Sequence, residues 1–506
     1  MDQSVDLFLQ KGAEEKLSLY RTIQQLKRTE IPAATRVHQQ LTGSAPGIDE
    51  VNLRRVANLM GRNYGTLYYI YNQLLDQLRA LVGDPEADTA RLFALSEGAV
   101  RMSMIEQSVP YQFLQHVLAE DLPHFEAFVD AVAASRVTCL RYLRPLRDMA
   151  KQLGVRIVYE KMHLSGDEAN IRIFMTLVYW LATDGAKWPF ATPTREAALD
   201  QVTTISAAFE RDYQSPVIRE VLAYYNSVTT LRLAHGHAVA QPVAALSYPV
   251  PNLFAAHTEL SRVTQFNESQ QMYQLNYLLP LFVEASDPAI SSTLTTFRHY
   301  SPELYHFTDT FLRKLPDTVL DPEKLSSRLM GMIAANLLAV VTSVATFGRD
   351  LGASVAYAFN RRIALTSPDA HLETLVRQTV EAVAIQQPLD WLGERDLNAL
   401  SQALYENLLQ VQRFAKPQRK VKVALLLEPV MLGFIDLVSF LQQQPFVELL
   451  HDHYEDADLV VQASSLPLTL SGEKRQVTFK WNMNASSDLF GELYGILYTM
   501  AQDEIN

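Results

Sequence analysis

Between Pro123 and Phe190 the spacing of apolar residues passes from a helical repeat to alternation and back, a succession that few folds accommodate in so short a stretch. Phe125, Phe128, Val129 and Val132 recur at i, i+3, i+4 and i+7, which predicts a short helix with one apolar face and then a compact break at Ala133-Ala134-Ser135. Ser135 is placed to cap a second helix whose inner face is Leu140, Leu143, Leu146 and Leu153. The other face carries Arg136, Thr138, Arg141, Arg144 and Lys151 against Asp148. Pro145 removes a backbone donor and predicts a kink about three turns in, so the recognition part is the segment before it. After Gly154 the period becomes two: Val155, Ile157 and Tyr159, a turn at Glu160-Lys161, then Met162-His163-Leu164 predict a small hairpin. Ser165-Gly166-Asp167-Glu168 has capping-box spacing and opens a helix with Ile171, Phe174, Met175 and Val178 on one face.

A short helix, a tight turn and a basic helix with hydroxyl groups near its start form the geometry that reads a DNA major groove. Guanidinium groups reach phosphates or guanine edges, and Ser or Thr reaches backbone and bases. An ordinary helical hairpin with a solvated basic face accounts for the same residues.

The segments "ASRVTCLRYLRPL", "LGVRIVYEKMHLSGDEANIRIFM" and "KWPF" together resemble the Mga/AtxA-like family of virulence and transcription regulators of Gram-positive bacteria. Ser135, Thr138, Leu140, Arg141, Gly166, Glu168, Ile171, Arg172, Phe174, Trp188, Pro189 and Phe190 fall on that family's pattern, with one residue of slack between Thr138 and Leu140. The resemblance implies a mainly α, multidomain chain: tandem helix-turn-helix units (the second winged), two helical regulatory domains called PRDs, and a C-terminal α/β domain of the IIB phosphotransferase type. The corresponding boundaries are 1–100, 101–190, 191–286, 287–416 and 417–506.

Length and charge fit such a partition. At roughly 100 to 200 residues per domain, 506 residues predict several cores. A net charge of -12 excludes a uniformly basic coat, so any DNA contact is local. One cysteine, Cys139, rules out disulfides within the chain and fits a reducing cytosol; a small helix residue is the simpler reading of it than a thiol sensor. Met1 to Ser4 show no basic segment leading into an apolar run, so no secretory signal is expected. The uncharged run Leu329 to Gly348 is long enough to span a bilayer, but its Asn336, hydroxyl residues and glycines favour a buried central helix in a soluble, cytoplasmic protein.

Upstream, Asp49 is placed to cap a helix with Val51, Val56 and Leu59 inward, Met60-Gly61-Arg62 turns, and Leu67, Ile70, Leu74, Leu78 and Leu81 line a second helix. Arg62, Asn63, Tyr64 and Thr66 would then stand at the start of a groove helix; a core helical pair with tyrosines at its rim is the alternative. From Pro193 to Ala415 the pattern is helical throughout, broken near Ser215-Pro216 and in the proline-rich Gln241 to Pro251, with two modules meeting near Asp287-Pro288. PRDs are phosphorylated on histidine by the sugar phosphotransferase system, which would make its phosphocarrier protein a partner. The helices starting at Pro216 and near Asp390, where the family's phosphohistidines align, hold no histidine. The candidates left are His235, His237, His299, His306 and His371, each also an ordinary surface or packed histidine.

From Val421 onward strand, helix and strand patterns alternate and predict a small parallel α/β domain. Where the IIB fold carries its phosphorylated cysteine, this chain has Glu428-Pro429, so thiol phosphotransfer is excluded and a sensor or homodimer contact is implied. No Gly-rich phosphate loop, nucleophile elbow or zinc-protease motif occurs, and neither His235-Gly236-His237 nor His451-Asp452-His453 has nearby partners at metal-site spacing. No enzyme activity, cofactor or metal is expected. Two functions remain: a transcription regulator that binds promoter DNA, or a helical sensor or scaffold working through protein contacts without DNA.

Overall fold

The structure, a computed structural model, describes residues 6–31, 35, 48, 50–208, 215–240, 250–278, 282–320, 325–348, 369–415, 420–427, 434–450, 456–463, 477–481 and 487–502. Asp49, most of the 241–251 connection, Glu428-Pro429 and His451-Asp452-His453 lie outside the described residues. The fold is mainly helical with one small parallel sheet. It divides into two compact units, one of Met1–Tyr20, Gly65–Ala87 and Leu95–Ala415, the other of Arg21–Tyr64, Asp88–Ala94 and Lys416–Asn506.

The N-terminal part comprises α1 (Lys11–Glu30), α2 (Leu53–Leu59), α3 (Tyr64–Val82) and α4 (Thr89–Phe93). Asn52 caps α2 by accepting from the Arg55 amide, and Gly61 turns the chain with φ +59°. Val56, Leu67, Leu74 and Leu78 are buried as the spacing requires, whereas Leu59 is 62% exposed.

In the first unit, α5 (Glu97–Glu106) and α6 (Val109–Ala119) lead into α7 (Phe125–Ala131), α8 (Arg136–Tyr142) and α9 (Arg144–Gln152). The hairpin follows as β1 (Arg156–Val158), a one-turn 3₁₀ helix and β2 (His163–Ser165), paired antiparallel with Ile157 opposite Leu164. Phe113, Phe125 and Phe128 form the aromatic heart, with ring centroids 5.3–6.3 Å apart, and Tyr159 of the hairpin turn stands 5.0 Å from Phe125.

α10 (Glu168–Thr183) is apolar on all sides and packs on α5 and on α12 (Pro216–Ala234), which follows α11 (Arg195–Ala208). The single face expected from Ile171, Phe174, Met175 and Val178 is therefore too narrow, since Ile173, Leu177, Tyr179 and Trp180 are buried as well. Its cap is Asp167, whose carboxylate accepts from the Ala169 and Asn170 amides, two residues past the Ser165 that a capping box would use.

Further helices are α13 (Arg262–Leu278), α14 (Ala289–Tyr300), α15 (Pro302–Lys314), α16 (Ser327–Phe347), α17 (Ala370–Gln386) and α18 (Glu394–Ala415). α16 is long and apolar enough to cross a membrane, and 61% of its apolar window is buried against protein. Asn336 on it grips the Phe282 backbone in both directions, accepting from N at 2.7 Å and donating to O at 2.8 Å. It contacts α13, α14, α15 and α18, the place of a core helix.

The C-terminal domain consists of β3 (Val421–Leu426), α19 (Ile435–Gln442), β4 (Val447–Leu450), β5 (Leu459–Gln462), β6 (Val477–Lys480) and α20 (Ser487–Gln502). The strands run in the order β4-β3-β5-β6, all parallel. Val421 and Val423 join Leu437, Leu441, Leu493 and Leu497 in one core, while Ala424 and Val460 face the other side of the sheet.

Candidate nucleic-acid interface

α7 and α8 are joined by a turn at Ala133, where φ is +49°. Ser135 starts α8 by accepting from the Thr138 amide at 3.2 Å, and its hydroxyl lies 2.8 Å from that of Thr138. The inner face is Cys139 with Leu143, Leu146, Ala150 and Leu153 rather than Leu140, which is half-buried. Burial pushes the Cys139 thiol up, so it is a protonated core side chain and poorly suited to sensing oxidants.

The basic helix is two helices. α8 stops at Tyr142, Leu143 joins it to α9, and Pro145 occupies the first turn of α9, where no intrahelical donor is lost. The expected kink three turns in is a break after two turns, and Arg144 belongs to the second helix. Arg136, Arg141, Arg144, Arg147, Lys151, Arg156 and Lys161 are all exposed, against Asp148 and Glu160. Arg147 and Arg156 escape the apolar-spacing argument, though Arg147 continues the three-residue rhythm of Arg141 and Arg144. Lys161 lies in the 3₁₀ turn at the wing's tip.

The guanidinium groups are not equally available. Arg136 is drawn back to an ion pair with Glu126 and stands 5.4 Å over the Phe125 ring. Arg141 folds over Tyr142, its Nη2 donating to the hydroxyl at 3.2 Å. Arg144 and Arg147 share Asp148 at 3.7 and 3.8 Å. Exposed pairs of this kind are worth roughly 0–1 kcal/mol and fade with salt, so a phosphate competes with Asp148 readily.

In the N-terminal pair Arg62, Asn63, Tyr64 and Thr66 are exposed, with Tyr68 and Tyr69 on the same helix. Arg54 stands 6.0 Å over the Tyr64 ring. Among the candidate histidines, His235, His299, His306 and His371 are exposed, and His237 Nε2 lies 2.6 Å from Glu120 Oε1. Among the described residues no three His, Cys, Asp or Glu side chains are grouped to hold a metal ion.

Several residues of the sequence pattern serve a different end. Arg172, fully buried in α10, donates to Glu168 at 3.1 Å, to both Glu268 oxygens at 2.5 and 2.9 Å and to the His237 carbonyl at 3.0 Å. Arg232 of α12 donates to both Glu168 oxygens at 3.0 and 2.7 Å and to Glu120 at 3.0 Å. Burial works to lower the Arg172 pKa, but the hydrogen bonds and charge of Glu268 override it and hold the guanidinium above its usual value. Trp188, Phe190, Tyr224 and Trp180 close the adjoining seam edge to face, with centroids 5.1–5.5 Å apart. Glu168, Arg172, Trp188 and Phe190 therefore tie the winged domain to α12 and α13 and do not face a groove. Isolated charges in apolar runs, Arg172 within "NIRIFM" and Arg232 within "TTLRLA", are the signal for this network in the sequence.

This arrangement, a capped seven-residue helix after a tight turn with a two-stranded wing behind it, defines a winged helix-turn-helix domain of the kind found in DNA-binding transcription regulators. Residues 94–179, from before α5 to near the end of α10, match the family model described as Mga helix-turn-helix domain, so the chain carries a domain similar to that of the Mga family. No curated protein matches the chain.

Proposed function

We propose that the protein is a cytoplasmic transcription regulator, most simply an activator, that binds promoter DNA through Arg141 and Arg144, with Thr138 near the groove and Lys161 of the wing on the backbone. The observation that supports this reading is local charge: seven exposed basic side chains between residues 135 and 161 meet two carboxylates, in a chain of net charge -12. Ser135 contributes as the cap that sets α8, and Arg136 adds a contact once it leaves Glu126. Arg62, Asn63, Tyr64 and Thr66 form a second, weaker contact.

Residues 191–286 and 287–416 act as PRD-like regulatory modules, open to phosphorylation at His235, His237, His299, His306 or His371 by a phosphotransferase-system phosphocarrier. His235 ends α12, so a phosphate there meets the negative end of the helix dipole and loosens that terminus. The IIB-like domain, 417–506, joins two copies. On its closing helix Tyr494 and Tyr498 are 42% and 43% exposed with rings stacked 5.8 Å apart, a surface suited to an isologous contact.

Fluorescence anisotropy of labelled promoter fragments tests the assignment. Arg141→Ala should weaken binding about tenfold, the worth of one guanidinium contact, with an unchanged circular dichroism spectrum. Equal affinity of variant and wild type would leave the sensor or scaffold reading.

A further inference from the structure

α8 turns one apolar side chain outward. Val137 is 77% exposed, while Cys139 and, just past the helix end, Leu143 fill the inner face. A single valine on a protein surface is ordinary and points to nothing by itself. Here it stands in the first turn of the helix that follows the tight turn, four residues before Arg141, which is exposed as well. Side chains four apart share one helix face, so Val137 and Arg141 lie together on the outer side of α8.

The polar groups beside Val137 are engaged within the domain. Arg136 pairs with Glu126 and lies over the Phe125 ring. Ser135 accepts from the Thr138 amide, the two hydroxyls are 2.8 Å apart, and Thr138 is half-buried. What this turn offers outward is a branched hydrocarbon. The hydrogen-bonding edges of guanine, cytosine and adenine gain nothing from such a group and lose water to it, whereas thymine presents a methyl group in the major groove.

We propose that Val137 is a specificity-determining residue that reads the C5-methyl group of a thymine in the major groove, a role that rests on the assignment of α8 to DNA. Two hydrocarbon surfaces that meet there leave water together, and a side chain already stiff at χ1 gives up little rotamer freedom in doing so. Arg141 stands one turn further along α8, about 6 Å away, and stacked bases are about 3.4 Å apart, so the thymine lies within about two base pairs of the Arg141 contact. Val137 thus adds a base preference beside cations that hold the backbone.

To test it, the full chain selects duplexes from a pool of random sequence, and the tightest is remade with deoxyuridine at one thymine at a time, which removes only the methyl group. Fluorescence anisotropy should find one position, or one in each half-site, where the change weakens binding about fourfold, the worth of one methyl group kept from water. Val137→Ala should melt as wild type does, keep the salt dependence and bind the thymine and deoxyuridine duplexes equally. Deoxyuridine tolerated at every position overturns the proposal while leaving DNA binding in place, as does a methyl preference that Val137→Ala retains in full. A pool that yields no bound duplex overturns the DNA assignment and this proposal together.

Discussion

A fully buried guanidinium is tolerable only if its donors are used, and Arg172 directs its own to Glu168, Glu268 and a backbone carbonyl. Removing one side of the pair leaves a charge with nothing to offset it. Arg172→Ala is predicted to destabilise the first unit by about 3–5 kcal/mol, read by urea denaturation. The double variant Arg172→Leu, Glu268→Leu should recover most of that stability, since an apolar pair carries no desolvation penalty. A single variant within about 1 kcal/mol of wild type would show the pair to be solvated. None of this was legible from spacing: Arg172 and Glu268 are 96 residues apart, and only Arg172 is marked by an apolar run, Glu268 standing in the polar stretch Asn267 to Gln271.

Local chemistry decided the elements more reliably. Ser135 caps α8 as its sequence context predicts, because a side-chain acceptor beside free amides needs no distant partner. The position of the break beyond it was harder to read, since proline fits a helix interior as a kink or a first turn as a start, and burial of Leu143 and Leu146 selects the start. Asn52 and Asp167 show the same limit, each standing within a few residues of a competing cap. Gly166 is a sharper case. Its φ of +152° and a Cβ position 2.8 Å from the Gly154 carbonyl oxygen leave room only for glycine where the wing returns to α10. Gly166→Ala should cost about 1–3 kcal/mol in thermal melts and loosen the wing, seen as faster amide exchange at His163 to Ser165. Wild-type stability and exchange would mean the backbone relaxes there at no cost.

For the molecule as a whole, the described helices between Pro193 and Ala415 and the change to strand and helix alternation after Val421 were readable because period reports burial directly. Contacts between distant segments were not, and the buried ion network of Arg172, Arg232, Glu168 and Glu268 is one product of such contacts. Self-association is likewise a property of surface that periodicity does not report. If the C-terminal domain joins two copies, Tyr494→Lys with Tyr498→Lys should shift sedimentation from dimer to monomer at micromolar concentration without unfolding; an unchanged dimer would move the interface elsewhere.

The central claim is that the winged domain carries the DNA contact in an otherwise acidic chain. Its most direct measurement is the affinity of the full chain for a promoter fragment across a series of salt concentrations, beside the Arg141→Ala, Arg144→Ala variant. Removing one cation from a phosphate lowers the slope of log affinity against log salt by about 0.9, so the double variant should flatten it by roughly two. Equal slopes and equal affinities in the two proteins would contradict the assignment of α8 and α9 to DNA.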